Sequence, residues 1–367
     1  MVFESEEVAG LAGVVGLVPF PIWPTHFGGA ERCWNVLSRL GPIKIHALSW
    51  EATRIEQWTR GDVSYQVHAV SPAASTHAER LQEWGFRTYD AAPSMAKQYL
   101  TDFADAVKAD EPDLVILEHP WLVDFVPQGV PFVYDSHNAE AWHHGERWGY
   151  SGAEFENIVD LECRAVLGSE LVTACSVRDI QIMNELFGDF SVMHVPNGVT
   201  TPDLTDRKPT QTLLFIGSQY PPNIDAANRL AALARVLPEF QIVIAGGCSY
   251  FVQSDAPNVQ LLGMVNDQKL HELFLEAGLF VNLMTSGSGT HLKVGRALSY
   301  GVPVVTTEIG KRGYETPFVA TLGNAVGKIE EAWRDYDRLS SEALREASSL
   351  SWDAVVEPLR NWVDARR

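Results

Sequence analysis

The sequence predicts an α/β protein made of two doubly wound domains, each a parallel sheet with helices on both faces. Three observations carry this. Short β-branched runs alternate with amphipathic stretches along most of the chain, the signature of strands buried on both faces. At 367 residues the chain is too long for one ordinary core and sufficient for two. A polar, proline-containing segment without periodicity, NGVTTPDLTDRKPTQ at 197–211, breaks the alternation, and a fresh strand, TLLFIG, follows it.

The boundary is therefore set at 196, giving domains 1–196 and 197–367. In the first, strands are expected at 12–18, 43–48, 63–70, 113–117, 131–134, 171–174 and 192–194, with helices at 29–40, 94–109 and 153–167. In the second, strands are expected at 212–216, 241–245, 259–262, 279–283 and 303–306, with helices at 223–236, 267–277 and 290–300. From about 327 onward the pattern is helical without a strand, so this region should pack outside the sheets. Ligands of such folds bind beyond the carboxyl ends of the strands. Two of them facing each other would leave a cleft.

Composition removes several classes of partner. Hydrophobic residues make up 46% and charged residues 20%, a globular balance. The formal charge of −19 repels nucleic acid and anionic lipid as broad electrostatic partners, while leaving room for a local basic pocket. The apolar stretch VAGLAGVVGLVPF at 8–20 follows Glu4, Glu6 and Glu7, where a secretory signal would be basic. It is also too short to span a bilayer, so it reads as the first strand of a cytoplasmic protein with no transmembrane segment. Cys33, Cys163, Cys175 and Cys248 form no C-x-x-C pair, and the adjacent His143 and His144 lack further ligands nearby in sequence. No metal and no cofactor are expected.

SGSGTHLKVGRALSYGVPVV, residues 286–305, is the most informative stretch. Gly287 and Gly289 let the backbone approach a ligand, and the free N–H groups of a helix starting near Thr290 form an anion site. Lys293 adds a charge there. Gly301 and Pro303 end the helix. Lys293, Arg296 and Tyr300 share one helical face. On pattern alone, a glycine turn with a solvated basic face explains the segment equally well.

This segment resembles the donor-binding run of the family-four retaining glycosyltransferases (group 1 type), in a subgroup carrying a G-S-G-T-x-L-K-x-x-E-A-like run. FGGAERCWNVL (27–37), VYDSHNAEA (133–141), VPNGV (195–199) and FIGSQYPPNIDA (215–226) resemble further segments of that family, in order. So does NVQLLGMVNDQKLHELFLEAGLFVNLM, which leads into the donor loop. The resemblance covers most of the chain from 12 to about 315. It implies the GT-B fold, two Rossmann-like doubly wound domains facing across a cleft. The second would hold a nucleotide-diphosphate sugar.

Carried over, Gly28, Gly29, Gly217, Ser218, Gly287, Ser288, Gly289, Thr290, Lys293 and Arg296 would bind the donor. His119 and Lys293 would be catalytic. His137, Asn138 and Glu140 would contact sugar or acceptor. Each has a plain alternative: a strand-end cap for His119, a polar turn for 137–140, and a helix-entry turn for Gly28 and Gly29. Phe20, Trp23 and Phe27, with Trp142, form an aromatic set suited to stacking sugars or to packing. The D-Y-D at 335–337 lies within helical spacing and reads as a solvated face.

One departure matters. Two glutamates often flank the family's donor helix, the second contacting ribose; the corresponding positions here are Ser288 and Arg296. A guanidinium only donates, so it suits an extra phosphate or carboxylate, or it pairs with Glu308 or Glu315. The expected function is retaining, metal-independent transfer of a sugar from a nucleotide-diphosphate donor to an unidentified acceptor. A non-catalytic binding subunit and, further behind, a sugar-nucleotide epimerase are the alternatives.

Overall fold

The computed structural model describes residues 13–25, 27–51, 56–73, 75–76, 96–149, 152–287, 290–314, 316 and 318–367. The chain divides into two compact units, Met1–Val195 with Val356–Arg367, and Pro196–Val355. Residues 356–367, assigned from sequence to the second domain, thus belong to the first. Their helix carries an apolar stripe, Val356, Leu359 and Val363, all buried, and that stripe packs wherever matching apolar surface exists.

The first unit contains β1 (Val14–Val18), α1 (Gly28–Leu37), β2 (Ile43–Ser49), β3 (Glu56–Arg60) and β4 (Val63–Ala69). It continues with α2 (Thr101–Ala109), β5 (Leu114–Glu118), β6 (Phe132–Ser136), α3 (Glu140–Trp148), α4 (Ala153–Gly168), β7 (Leu171–Ala174), α5 (Val177–Phe187) and β8 (Val192–His194). The eight strands lie in the order β3-β4-β2-β1-β5-β6-β7-β8. All pairs are parallel except β3 with β4. Strand β3, EQWTR, was not expected. Its polar residues hide the strand period, and it pairs only with β4 at the sheet edge, where one-sided exposure is tolerated.

The second unit holds β9 (Thr212–Ile216), α6 (Pro221–Ala232), β10 (Gln241–Ala245), β11 (Val259–Leu261), α7 (Asp267–Glu276), β12 (Leu279–Asn282) and α8 (Leu292–Ser299). After these come β13 (Val304–Thr306), β14 (Phe318–Val319), α9 (Ala325–Arg334) and α10 (Tyr336–Ser349). The last helix, α11 (Trp352–Asp364), leads back into the first unit. The six strands are parallel, in the order β11-β10-β9-β12-β13-β14.

Both sheets reverse their winding at the first strand of the unit. β1 lies between β2 and β5, and β9 lies between β10 and β12. Ligands of open α/β sheets bind beyond the carboxyl ends at such reversals. The two predicted site regions lie there, one in each unit. β5 and β6, like β12 and β13, are buried throughout, as strands covered on both faces must be.

Candidate active site

In the first unit, the carboxyl ends of β5 and β6 bring Glu118, His119 and His137 together. The His119 and His137 rings lie 4.1 Å apart between centroids, and Phe20 meets His119 edge-on at 5.4 Å. His119 has φ +67 and ψ 152, a region that glycine alone adopts easily. Holding it there costs about 1–3 kcal/mol, strain that clusters at functional sites. Its Nδ1 lies 3.3 Å from Glu140 Oε1, off hydrogen-bond geometry, so neither ring nitrogen has a hydrogen bond among the described residues.

Glu140 opens α3 and is buried. Burial would raise its carboxyl, but His119 and His144 beside it outweigh that and hold it well below the usual range. The start of α3 is fixed by a buried carboxylate from α4. Glu162 accepts the N–H groups of Glu140 and Ala141 at 2.7 and 2.6 Å, two of the donors every helix start leaves open. Burial pushes Glu162 up to about 8 against those bonds. Asn138 donates toward Glu140 Oε1 at 3.3 Å.

Beneath these residues Arg32, from α1, makes a bidentate pair with Asp135 at 2.6 and 3.1 Å, and also donates to the Val195 carbonyl. Both side chains are fully buried. Glu118 Oε2 meets His137 Nε2 at 2.8 Å, and Cys33 Sγ lies 3.7 Å from the same nitrogen. Burial first, then the charge on Asp135, raise the Glu118 carboxyl. Burial, then His119 and Arg32, lower His137 well below its ordinary value, so its ring is neutral. Gly28 and Gly29 open α1, and a Cβ on Gly29 would press on Phe27 at 3.0 Å. Among the aromatic residues, Trp23 packs tilted against Trp34 and edge-on against Trp58, with Arg60 over the Trp23 and Trp58 rings, while Phe27 is half exposed.

In the second unit, the ends of β9, β12 and β13 converge on the start of α8. Lys293, in the first turn, donates to Asn223 Oδ1 at 2.5 Å and lies 4.7 Å over the Phe215 ring. Among the described residues no carboxylate pairs with it. Burial pulls its ammonium down to about 8. Asn223 in turn donates to Ser218 Oγ at 3.2 Å, so Ser218 and Lys293 are linked through one amide. Gly217 is required by this packing: a Cβ there would sit 2.7 Å from Asn223 Cβ. Gly246, at φ +86, crosses directly on Gly217 and has no room for a side chain.

Helix α8 begins at Leu292, two residues later than expected, and Thr290 lies outside it. The Thr290 hydroxyl instead accepts from Asn197. Gly287 takes φ +127, and its carbonyl accepts from Arg312 at 2.6 Å. Ser288 and Gly289 lie outside the described residues. His291 is buried, and its Nε2 has no hydrogen-bond partner among the described residues; burial first, then Lys293 and Arg312, lower it to about 3. Arg296 is part-buried one turn beyond Lys293, and its positive charge bears on Tyr300. Glu308, one partner expected for it, pairs with Lys311 at 3.3 Å, and Glu315 lies outside the described residues.

The sequence alone singled out neither Arg32, Glu118, Asp135 and Glu162 in the first unit nor Asn223, Arg312 and Gly246 in the second. Asn223 had a signal in the P-P-N-I-D-A turn. Arg312 had none, because only the fold returns the segment after β13 to Gly287.

Residues 210–333 match the family described as Glycosyl transferases group 1. No curated protein matches the sequence. Among solved structures the chain is similar to sucrose-phosphate synthase from Thermosynechococcus elongatus: TM-score 0.70, 12% identity, 96% of this chain and 98% of that one. It is also similar to a UDP-forming trehalose-phosphate synthase from Burkholderia xenovorans, with TM-score 0.68, 12% identity, and coverage of 96% and 99%. A third is Anabaena HepE in complex with UDP, with TM-score 0.64, 16% identity, and coverage of 96% and 100%. The match to that family is confined to residues 210–333, within the second unit, and the architecture is GT-B.

Proposed function

We propose that this GT-B chain is a glycosyltransferase that takes a sugar from a nucleotide-diphosphate donor, with UDP as the carrier to test first. The observation that carries this is Lys293. Among the described residues no carboxylate pairs with its partly buried ammonium, and such a charge is costly unless an anion completes it. It stands at the start of a helix, on strand ends whose glycines keep side chains away, where a diphosphate gains both ammonium and N–H donors. Arg312 adds a second cation to the same loop. The UDP bound in the HepE structure supports this choice of carrier.

In this reading Gly217, Ser218, Gly287–Thr290 and Lys293 hold the diphosphate, and Arg296 reads the rest of the donor. Lys293 and the helix start stabilise charge on the leaving diphosphate without a metal. Gly28 and Gly29 give close backbone approach in the first unit. His119, Asn138 and Glu140 contact sugar or acceptor, with His137 acting through the ring packed against His119. The strained backbone of His119 supports its catalytic role. Transfer proceeds with retention, the departing phosphate taking the acceptor's proton.

The test is calorimetric titration with UDP and other nucleoside diphosphates, followed by UDP release from UDP-sugars with a panel of acceptors. Failure of every nucleoside diphosphate to bind at millimolar concentration overturns the reading. Binding without transfer or hydrolysis on any donor selects the non-catalytic alternative, which the arginine at 296 favours.

A further inference from the structure

Cys33, Glu118 and His137 offer a thiol, a carboxylate and an imidazole whose ligating atoms all lie within 4.8 Å of one another, and all three side chains are buried. They come from α1 and from the ends of β5 and β6. We propose that they form a binding site for one zinc-like divalent cation, separate from the donor site of the second unit.

Geometry is the first argument. A tetrahedral zinc with ordinary bond lengths separates sulfur from nitrogen by about 3.6 Å, and nitrogen from oxygen by about 3.3 Å. Here Cys33 Sγ is 3.7 Å from His137 Nε2, and Glu118 Oε2 is 2.8 Å from it. Opening the carboxylate by about half an ångström admits the ion. The same nitrogen faces both the sulfur and the carboxylate, the convergence a metal needs and a single hydrogen bond does not.

An orphaned atom supports the same site. Glu118 Oε1 is buried without any hydrogen-bond partner among the described residues, an expensive condition for a carboxylate oxygen. An ion beside Oε2 would neutralise the whole carboxylate.

Charge balance is the third. The buried set holds one fixed cation, Arg32, against Asp135 and Glu118, with Cys33 able to supply a third negative charge. A divalent ion bound to a thiolate makes three positive charges against three negative, so the pocket is neutral. The remaining shell is already built: Arg32 and Thr173 fix Asp135, and Cys175 donates to the His137 carbonyl at 3.1 Å. Three protein ligands leave a fourth position open to water. No spacing in the sequence reveals this site, because its ligands lie on three separate elements.

The full chain, stripped with chelator, is titrated with Co2+ while sulfur-to-cobalt charge-transfer absorption is followed. The band should saturate at one equivalent per chain and be displaced by Zn2+. Cys33→Ser should abolish it, and Glu118→Gln should weaken cobalt binding at least the ~10-fold that even outer-shell changes cause. Cys163→Ser, on α4, should retain the band in full. Absence of the band in the unsubstituted chain overturns the proposal whether or not the variants fold, and so does an undiminished band in folded Cys33→Ser.

Discussion

Replacing Lys293 by methionine keeps the length and apolar stem of the side chain and removes the charge. In the free protein this should cost little. The ammonium is held at about 8 against an ordinary 10.5 because burial disfavours its charge. At full burial that shift would correspond to about 3 kcal/mol of penalty at neutral pH. The side chain is only part-buried, so a gain of about 0–2 kcal/mol on substitution is expected, less whatever the lost Asn223 bond contributes. Bound diphosphate reverses the sign. A phosphate charge about 4 Å from the ammonium interacts by about 4 kcal/mol at an effective dielectric of 20.

Lys293→Met should therefore weaken UDP binding ~100- to 1,000-fold while the melting temperature holds or rises, read by calorimetry and by denaturant unfolding. The pH profile adds an independent check. Because the free-state proton is lost near 8, UDP affinity should be flat below about 7 and fall by up to tenfold per pH unit above 8, and the variant should lack that fall. A variant that binds UDP like the unsubstituted chain, or that loses several kcal/mol of stability, refutes the role assigned to Lys293.

Gly217→Ala places a Cβ 2.7 Å from Asn223 Cβ; it should cost about 1–3 kcal/mol in unfolding experiments and lower UDP affinity by displacing the amide that holds Lys293. His291, held at about 3 in the folded state, binds its proton near 6.5 only when unfolded. Its contribution is therefore complete above 6.5 and is lost as pH falls toward 3, by about 1.4 kcal/mol per unit; His291→Gln should flatten that limb of the stability curve. His68, lowered to about 4 by burial and by His46, acts in the same direction. Arg296→Glu separates two readings of the donor site. Improved binding of an ordinary UDP-sugar would mark the arginine as a loss, and abolished activity would mark it as a reader of an unusual donor.

The alternation of buried strands with amphipathic helices fixes the class of this protein and the number of sheets, because residues covered on both faces must be apolar whatever the partner. Gly287 and Lys293 were legible for a similar reason: a turn glycine and a helix-start charge are local requirements, readable in one segment, whereas Gly217 was named only through the family resemblance. Strand β3 was not legible, since an edge strand may stay polar. The assignment of 356–367 to the first unit was not legible either, since an apolar stripe does not name the surface it covers.

The site chemistry divides along the same line. Sequence placed His119 at a strand end, but only the fold shows its strained backbone and its contact with His137. Asn223 joins Ser218 to Lys293, and Arg312 reaches Gly287, through separations of 70 and 25 residues that no period encodes. Cys33, Glu118 and His137 each look unremarkable in their own segment. A parallel sheet gathers the carboxyl ends of β5 and β6 on one edge, and α1 brings Cys33 to the same place, so that three scattered residues become one set of ligands.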